Sequence, residues 1–150
     1  MNTLKIGDPI PEITVNDESG HAVNLTDFKG KKLVVFFYPK ANTPGCTAEA
    51  CNLRDHYKEL LNHGYALLGV SADSETKQAN FKKKFDFPFP LLADVDKKVI
   101  EAFGVWGEKK FMGKTYDGIH RKTFIFNTDG RVERVIDKVK TKDHAAQIME

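Results

Sequence analysis

Two cysteines, Cys46 and Cys51, are the side chains of this 150-residue chain best suited to covalent chemistry, and the thiolate is their reactive form. Cys46 follows Thr43-Pro44-Gly45. A hydroxyl residue followed by proline marks a helix start, with Thr43 at the N-cap and Pro44 at the first helical position. Cys46 then falls at the third helical position. A capping box would place a glutamate there, beside unpaired backbone N–H groups and the positive end of the helix dipole. An anionic sulfur is favoured at such a site. An ordinary thiol of pKa ~8.5 is only about 3% ionised at pH 7, whereas a site that lowers the pKa to ~6 makes that about 90%. Against this stands the common fate of a lone cysteine, a small buried hydrophobe. Spacing alone leaves both readings of Cys46 open. Thr43 also has two, as a helix cap and as a hydroxyl donor to a substrate oxygen, and one oxygen serves both only in part. Glu49 has two readings, a proton-handling group and, favoured, a surface residue of the first helical turns, and Arg121 reads as a surface arginine at a strand start.

Other chemistries fit poorly. No Cys-x-x-Cys pair occurs, which argues against a zinc ribbon or a simple disulfide oxidoreductase. Cys46, Cys51 and His56 are spaced by five, which on one helix sends them to different faces and makes a poor metal site. The five histidines are scattered and suggest no triad. Gly113-Lys114-Thr115 resembles the end of a phosphate-binding loop, but five residues rather than four separate it from Gly107 and no strand precedes it.

The elements that must position Cys46 follow from the pattern around it. Leu33 to Tyr38 is an apolar, β-branched and aromatic run, a buried strand. After Cys46, residues Ala50, Leu53, Tyr57, Leu60 and Leu61 recur at helical spacing, and the helix runs to His63-Gly64. Upstream, Ile13 to Val15 and His21 to Leu25 form a short hairpin across Asn16 to Gly20. Downstream come a strand over Tyr65 to Ser71 and a charged helix over Ser74 to Phe85, with Phe81 and Phe85 on its inner face. Pro88 and Pro90 end that helix before an extended Leu91 to Ala93, and a short helix from Lys97 to Phe103 closes on Gly104. Trp106 to His120, with three glycines, reads as a loop. Thr123 to Phe126 and Val132 to Ile136 form a hairpin across Asp129-Gly130, and Thr141 to Met149 a terminal helix. Alternating strands and helices followed by a hairpin predict an α/β layer structure in one domain over residues 1–150, its mixed central sheet flanked by helices and preceded by the N-terminal β-hairpin.

Composition narrows the class. A chain with 41% hydrophobic residues and a formal charge of +2 has the make-up of an ordinary globular protein. Its lysine pairs and the Lys82 to Lys84 run are dispersed, so no nucleic-acid stripe is expected. Met1 to Pro11 lack the apolar stretch of a signal peptide and no run reaches membrane length, so the expected location is cytoplasmic, with no membrane partner. There a transient catalytic disulfide is more at home than a structural one.

Pro39-x-x-x-Thr43-x-x-Cys46 resembles the active-site motif of peroxiredoxins. The string Thr43-Pro44-Gly45-Cys46-Thr47-Ala48-Glu49-Ala50-Cys51 is similar to the subgroup of bacterioferritin comigratory protein, or peroxiredoxin Q. Phe87 to Asp94, Phe103 to Lys109 and Arg121 to Phe124 resemble its later segments, although the last helix ends sooner, at Glu150. The resemblance implies a thioredoxin-like fold and a thiol peroxidase acting on hydrogen peroxide and organic hydroperoxides. Cys46 would attack the O–O bond as thiolate and become a sulfenic acid. Arg121 would favour the thiolate and orient the peroxide. Thr43 and the N–H groups of Gly45 and Cys46 would contact peroxide oxygens, and Pro39 would shield the sulfenic acid. Cys51 would resolve it as an intramolecular Cys46–Cys51 disulfide, reduced by thioredoxin or a similar dithiol. No metal, flavin or haem is implied, and the expected state is a monomer or weak dimer. Two other classes are carried alongside: a thiol redox sensor or binding module without turnover, and a non-catalytic scaffold whose thiols only pack.

Overall fold

A computed structural model describes residues 2–150. Its centre is a five-stranded mixed sheet. Strands β3 (Lys32–Phe37), β4 (Tyr65–Ser71) and β5 (Leu91–Ala93) run parallel, while β8 (Thr123–Phe126) pairs antiparallel with β3 and β9 (Val132–Ile136) with β8. The order is β5-β4-β3-β8-β9. The central strand β3 is buried over its whole apolar run because it has layers on both faces. Successive side chains alternate between them. Leu33, Val35 and Phe37 join a core with Phe103, Phe124 and Phe126, whereas Val34, Phe36 and Tyr38 join one with Cys46, Leu53 and Phe89.

The second of those cores is covered by α1 (Pro44–Asp55), α2 (Tyr57–Asn62), α3 (Glu75–Phe85) and α5 (His144–Met149), and the first includes Val99, Ile100 and Phe103 of α4 (Lys98–Phe103). Ahead of the main sheet, β1 (Thr14–Asn16) and β2 (Ala22–Asn24) pair antiparallel as the expected hairpin. Ser74 caps α3 by accepting from Lys77 N at 3.2 Å. Among the described residues no helix is long and apolar enough to cross a membrane.

Three elements differ from expectation. The terminal helix begins at His144 with Asp143 as its N-cap, not at Thr141. The helix after Cys46 is not continuous to Leu61: it breaks at His56, whose Nδ1 lies 2.9 Å from Asn52 O. That carbonyl also accepts from His56 N at 3.2 Å, so the ring competes for the helical acceptor and the chain restarts at Tyr57. The glycine-rich stretch from Trp106 to His120 is no loop but an antiparallel ribbon, β6 (Trp106–Phe111) and β7 (Lys114–Ile119). Its two-residue turn places Met112 and Gly113 at φ of 50° and 78°, the primed-turn conformation that matches strand twist. Gly107 pairs with Gly118, and Trp106 with Ile119 at the base. Most of the ribbon is exposed, so it lacks the apolar alternation by which strands are read.

Candidate active site

Strand β3 ends at Phe37, and from Tyr38 a short loop carries the chain into α1. The Tyr38 hydroxyl donates to Gln78 Oε1 at 2.5 Å, tying this end of the strand to α3. Asp73, just beyond β4, holds the loop: its Oδ2 accepts from Ala41 N and from Ser71 Oγ, each at 2.7 Å. Thr43 stands at the N-cap, Pro44 begins the helix and Cys46 takes its third position, as the spacing predicts. The cap itself differs from expectation. The Thr43 hydroxyl donates to Lys40 O at 2.7 Å and caps nothing. The Gly45 and Cys46 N–H groups thus have neither an intrahelical acceptor nor a side-chain cap, and Thr43 Oγ1 keeps its lone pairs.

Cys46 is 2% exposed. Arg121, two residues ahead of β8, reaches it across the helix start, with Nη2 donating to Sγ at 3.4 Å and Nη1 donating to Glu49 Oε1 at 2.6 Å. Gly45 permits this approach, because a Cβ there would stand 3.3 Å from Arg121 Nη2. Burial disfavours the guanidinium charge, but Glu49 and Cys46 outweigh it and push the arginine further up. A permanent cation beside a sulfur stabilises its anionic form. Pro39 is half-buried and lines a cavity of about 390 Å³ shared with Trp106, Lys109, Tyr116 and Ile119. Lys109 donates to Ile119 O at 2.9 Å; burial and then the Arg121 charge push its ammonium down.

Gly45, Cys46 and Arg121 are therefore brought together, with Thr43 at the head of the same helix, whereas Pro39 lines a neighbouring cavity that none of them lines. Cys51 sits half-buried on the same helix as a free thiol, pushed up by burial. Glu49 corrects the sequence reading: it is not a surface residue but fully buried, one helical turn below Cys46 and bonded to Arg121. Burial pushes its carboxyl up to about 7 even though Arg121 acts in the opposite direction. His144, from α5, was also passed over. It is fully buried, with Nε2 3.6 Å from Glu49 Oε2. The signals were present: Cys46, Glu49, Ala50 and Leu53 form one i, i+3, i+4, i+7 stripe, all buried. His144 likewise shares a buried face with Ala145 and Ile148.

A sequence profile of the AhpC/TSA family matches residues 6–135. Peroxiredoxin Bcp of Escherichia coli K12 is 53% identical over 144 residues, covering 96% of this chain and 92% of that protein. A structure of Xanthomonas campestris bacterioferritin comigratory protein superposes with a TM-score of 0.88 at 35% identity, over 97% of this chain and 93% of the other. A Xylella fastidiosa PrxQ variant gives 0.92 at 29%, over 99% and 95%. Matches of this extent, on a thioredoxin-type sheet whose helix start sets a buried cysteine against an arginine, place the chain in the AhpC/TSA family as a peroxide-reducing peroxiredoxin of the bacterioferritin comigratory protein and peroxiredoxin Q group.

Proposed function

We propose that the chain is a thioredoxin-dependent peroxidase in which Cys46 is the peroxidatic and Cys51 the resolving cysteine. The observation that carries this reading is the Arg121 guanidinium 3.4 Å from Cys46 Sγ at a helix start with unused N–H groups. The thiolate attacks the outer peroxide oxygen, the O–O bond breaks, and the leaving oxygen departs as water or an alcohol after taking a proton. Cys46 is left as a sulfenic acid. Arg121, Thr43 and the N–H groups of Gly45 and Cys46 stabilise the charge that develops on the oxygens. The Cys51 thiol then displaces the sulfenic hydroxyl as water, forming the Cys46–Cys51 disulfide. A reductant dithiol restores both thiols by exchange. Cys51, pushed up by burial, stays protonated during the first step and does not compete for peroxide. Organic hydroperoxides are included among the substrates. The Xanthomonas campestris relative is described with an alkyl peroxide reduction activity, and here the cavity beside Pro39 offers Trp106 and Ile119 to an organic tail.

The direct test follows peroxide consumption and NADPH oxidation with thioredoxin and its reductase. Sustained turnover on hydrogen peroxide and on an alkyl hydroperoxide is expected; a single equivalent consumed with thioredoxin present would leave a redox sensor instead. Arg121 is tested by substitution. Removing one preorganised donor at a developing oxyanion costs about 100- to 1000-fold, so Arg121→Ala is expected to slow the bimolecular reaction with peroxide by that order. Arg121→Lys keeps the charge without the planar two-pronged donor and is expected to recover only part of the rate. Stopped-flow kinetics of Cys46 oxidation, checked by alkylation of the same thiol, gives the comparison. Unchanged rates in Arg121→Ala would remove Arg121 from the mechanism.

A further inference from the structure

Behind Arg121 lies a buried acid whose surroundings are built for its neutral form. Glu49 Oε1 accepts from Arg121, but Oε2 is buried without a hydrogen-bond partner. His144 Nε2 lies 3.6 Å from Oε2, and Gln147 settles whether that nitrogen carries a proton. Gln147 Nε2 donates to Lys138 O at 2.9 Å and its Oε1 accepts from Lys140 N at 2.9 Å, so the amide orientation is fixed. Oε1 then accepts from His144 Nδ1, at 2.8 Å, which puts the imidazole proton on Nδ1. Nε2 of the neutral ring presents a lone pair, and the Thr123 hydroxyl donates to it at 2.7 Å. An ionised Glu49 would therefore set a charged oxygen against a lone pair, with no donor to replace lost water. A proton on Oε2 removes that charge, and the neutral carboxyl still accepts from Arg121 through Oε1.

We propose that Glu49 is protonated in the reduced enzyme and that His144 is the positioning residue that keeps it so, leaving the Arg121 charge to the sulfur and the peroxide. The proposal rests on the peroxidatic reading of Cys46 and Arg121. One guanidinium faces two potential anions, and the carboxyl oxygen, at 2.6 Å, is closer than the sulfur at 3.4 Å. Were both ionised, the carboxylate would neutralise the cation first. Burial favours the neutral form of Glu49 and Arg121 opposes it. Cys46 on its own helix and Arg121 ahead of β8 are the two just described. His144 on α5 is held neutral, pushed down to about 4 by burial. Tyr38, at the exit of β3, is raised well above the usual phenol range by burial and stays neutral. Lys109 on β6 acts on Arg121 from the far side. With the Glu49 carboxyl at about 7, the proton is present below that pH and leaves as pH rises through it.

The first readout is the pH profile of the bimolecular peroxide rate. In the wild type the rate is expected to fall about tenfold as pH rises through 7 and Glu49 ionises against Arg121. Glu49→Gln, neutral at every pH, is expected to lack that fall. The second readout is independent of activity: the side-chain carboxyl carbon of Glu49, followed by NMR in the reduced protein, should report a neutral acid at pH 6. His144→Gln places an amide donor opposite Oε2 and should lower the Glu49 midpoint by at least one pH unit. Thr123→Val frees Nε2 as an uncontested acceptor and should raise it, which serves if His144→Gln does not fold. Opposite displacements are not the signature of a merely structural role. A Glu49 already ionised at pH 6, an alkaline fall that persists in Glu49→Gln, or a midpoint unmoved by the folded variants overturns the proposal. If the wild type failed to react with peroxide at all, the peroxidatic reading would fall while the carbon titration still reported on Glu49.

Discussion

Cys46→Ser should consume no peroxide at all, while Cys51→Ser should consume a first equivalent rapidly and then fail to turn over. The difference follows from where the two sulfurs stand. Cys46 occupies the third position of α1, within reach of Arg121 and of the unused N–H groups. A serine hydroxyl there is not ionised near neutrality, and the first bond to oxygen is never made. Cys51 has neither partner, and burial raises its thiol. In Cys51→Ser the first step should run at the wild-type rate, but the sulfenic acid has no thiol to condense with. It persists, reacts with a dimedone-type trap, and passes on to sulfinic acid as peroxide is raised. Mass spectrometry of Cys46 after one and after many equivalents reads both stages. The loss of steady-state turnover with thioredoxin should reach several orders of magnitude in either variant. Only Cys46→Ser should lose the first turnover, and equal loss of it in both would merge the two roles.

What could be read from sequence was whatever local spacing determines. The β3 run, the Thr43-Pro44 start, the register of Cys46 and the Asp129-Gly130 hairpin all rest on neighbouring residues, and the fold shows each of them. The ribbon of β6 and β7 escaped because its positions are mostly exposed and show no apolar alternation, and its turn carries Met112-Gly113 rather than an asparagine or aspartate before the glycine. Glu49 escaped for a different reason. A glutamate in the second turn of a helix is at ease in water and needs no explanation. Only Arg121, 72 residues later, makes its burial tolerable. The buried stripe it shares with Ala50 and Leu53 was visible, but a charged residue in such a stripe is judged by a partner that local pattern does not reveal. His144 lies further still from Cys46 in sequence, and its neutral state depends on Gln147, Thr123 and the backbone at Lys138 and Lys140 together.

Disulfide formation between Cys46 and Cys51 should open α1 and release α5 in the same event. Both cysteines lie on the continuous helix Pro44–Asp55. Five residues apart on a regular helix, their Cα atoms are roughly 8.6 Å from each other and about 140° around the axis. A disulfide needs Cα atoms within about 7 Å and facing Cβ vectors, so the backbone between Thr47 and Ala50 must give up helical hydrogen bonds. Asn52 carries that change to the C-terminus. Its Nδ2 donates to Lys142 O at 3.0 Å, and its Oδ1 accepts from Ala145 N at 2.8 Å. The latter is the cap that α5 lacks from its own Asp143, which makes no side-chain bond. His144 adds the contacts to Thr123 and Glu49. Rotating residue 52 away withdraws the cap, and a helix of six residues has little stability of its own. Amide exchange should therefore rise on oxidation at Thr47 to Leu53 and at His144 to Met149 together, while Leu33 to Phe37 of β3 stay protected. Asn52→Ala removes the cap, at a cost of about 1 kcal/mol, together with the bond to Lys142 O. It should loosen α5 already in the reduced protein and speed the closing of the disulfide relative to overoxidation of Cys46. Exchange that rises in α1 but not in α5 would confine the opening to the cysteine helix. Protection of both helices in the oxidised protein would exclude a bond between these two sulfurs made by unwinding.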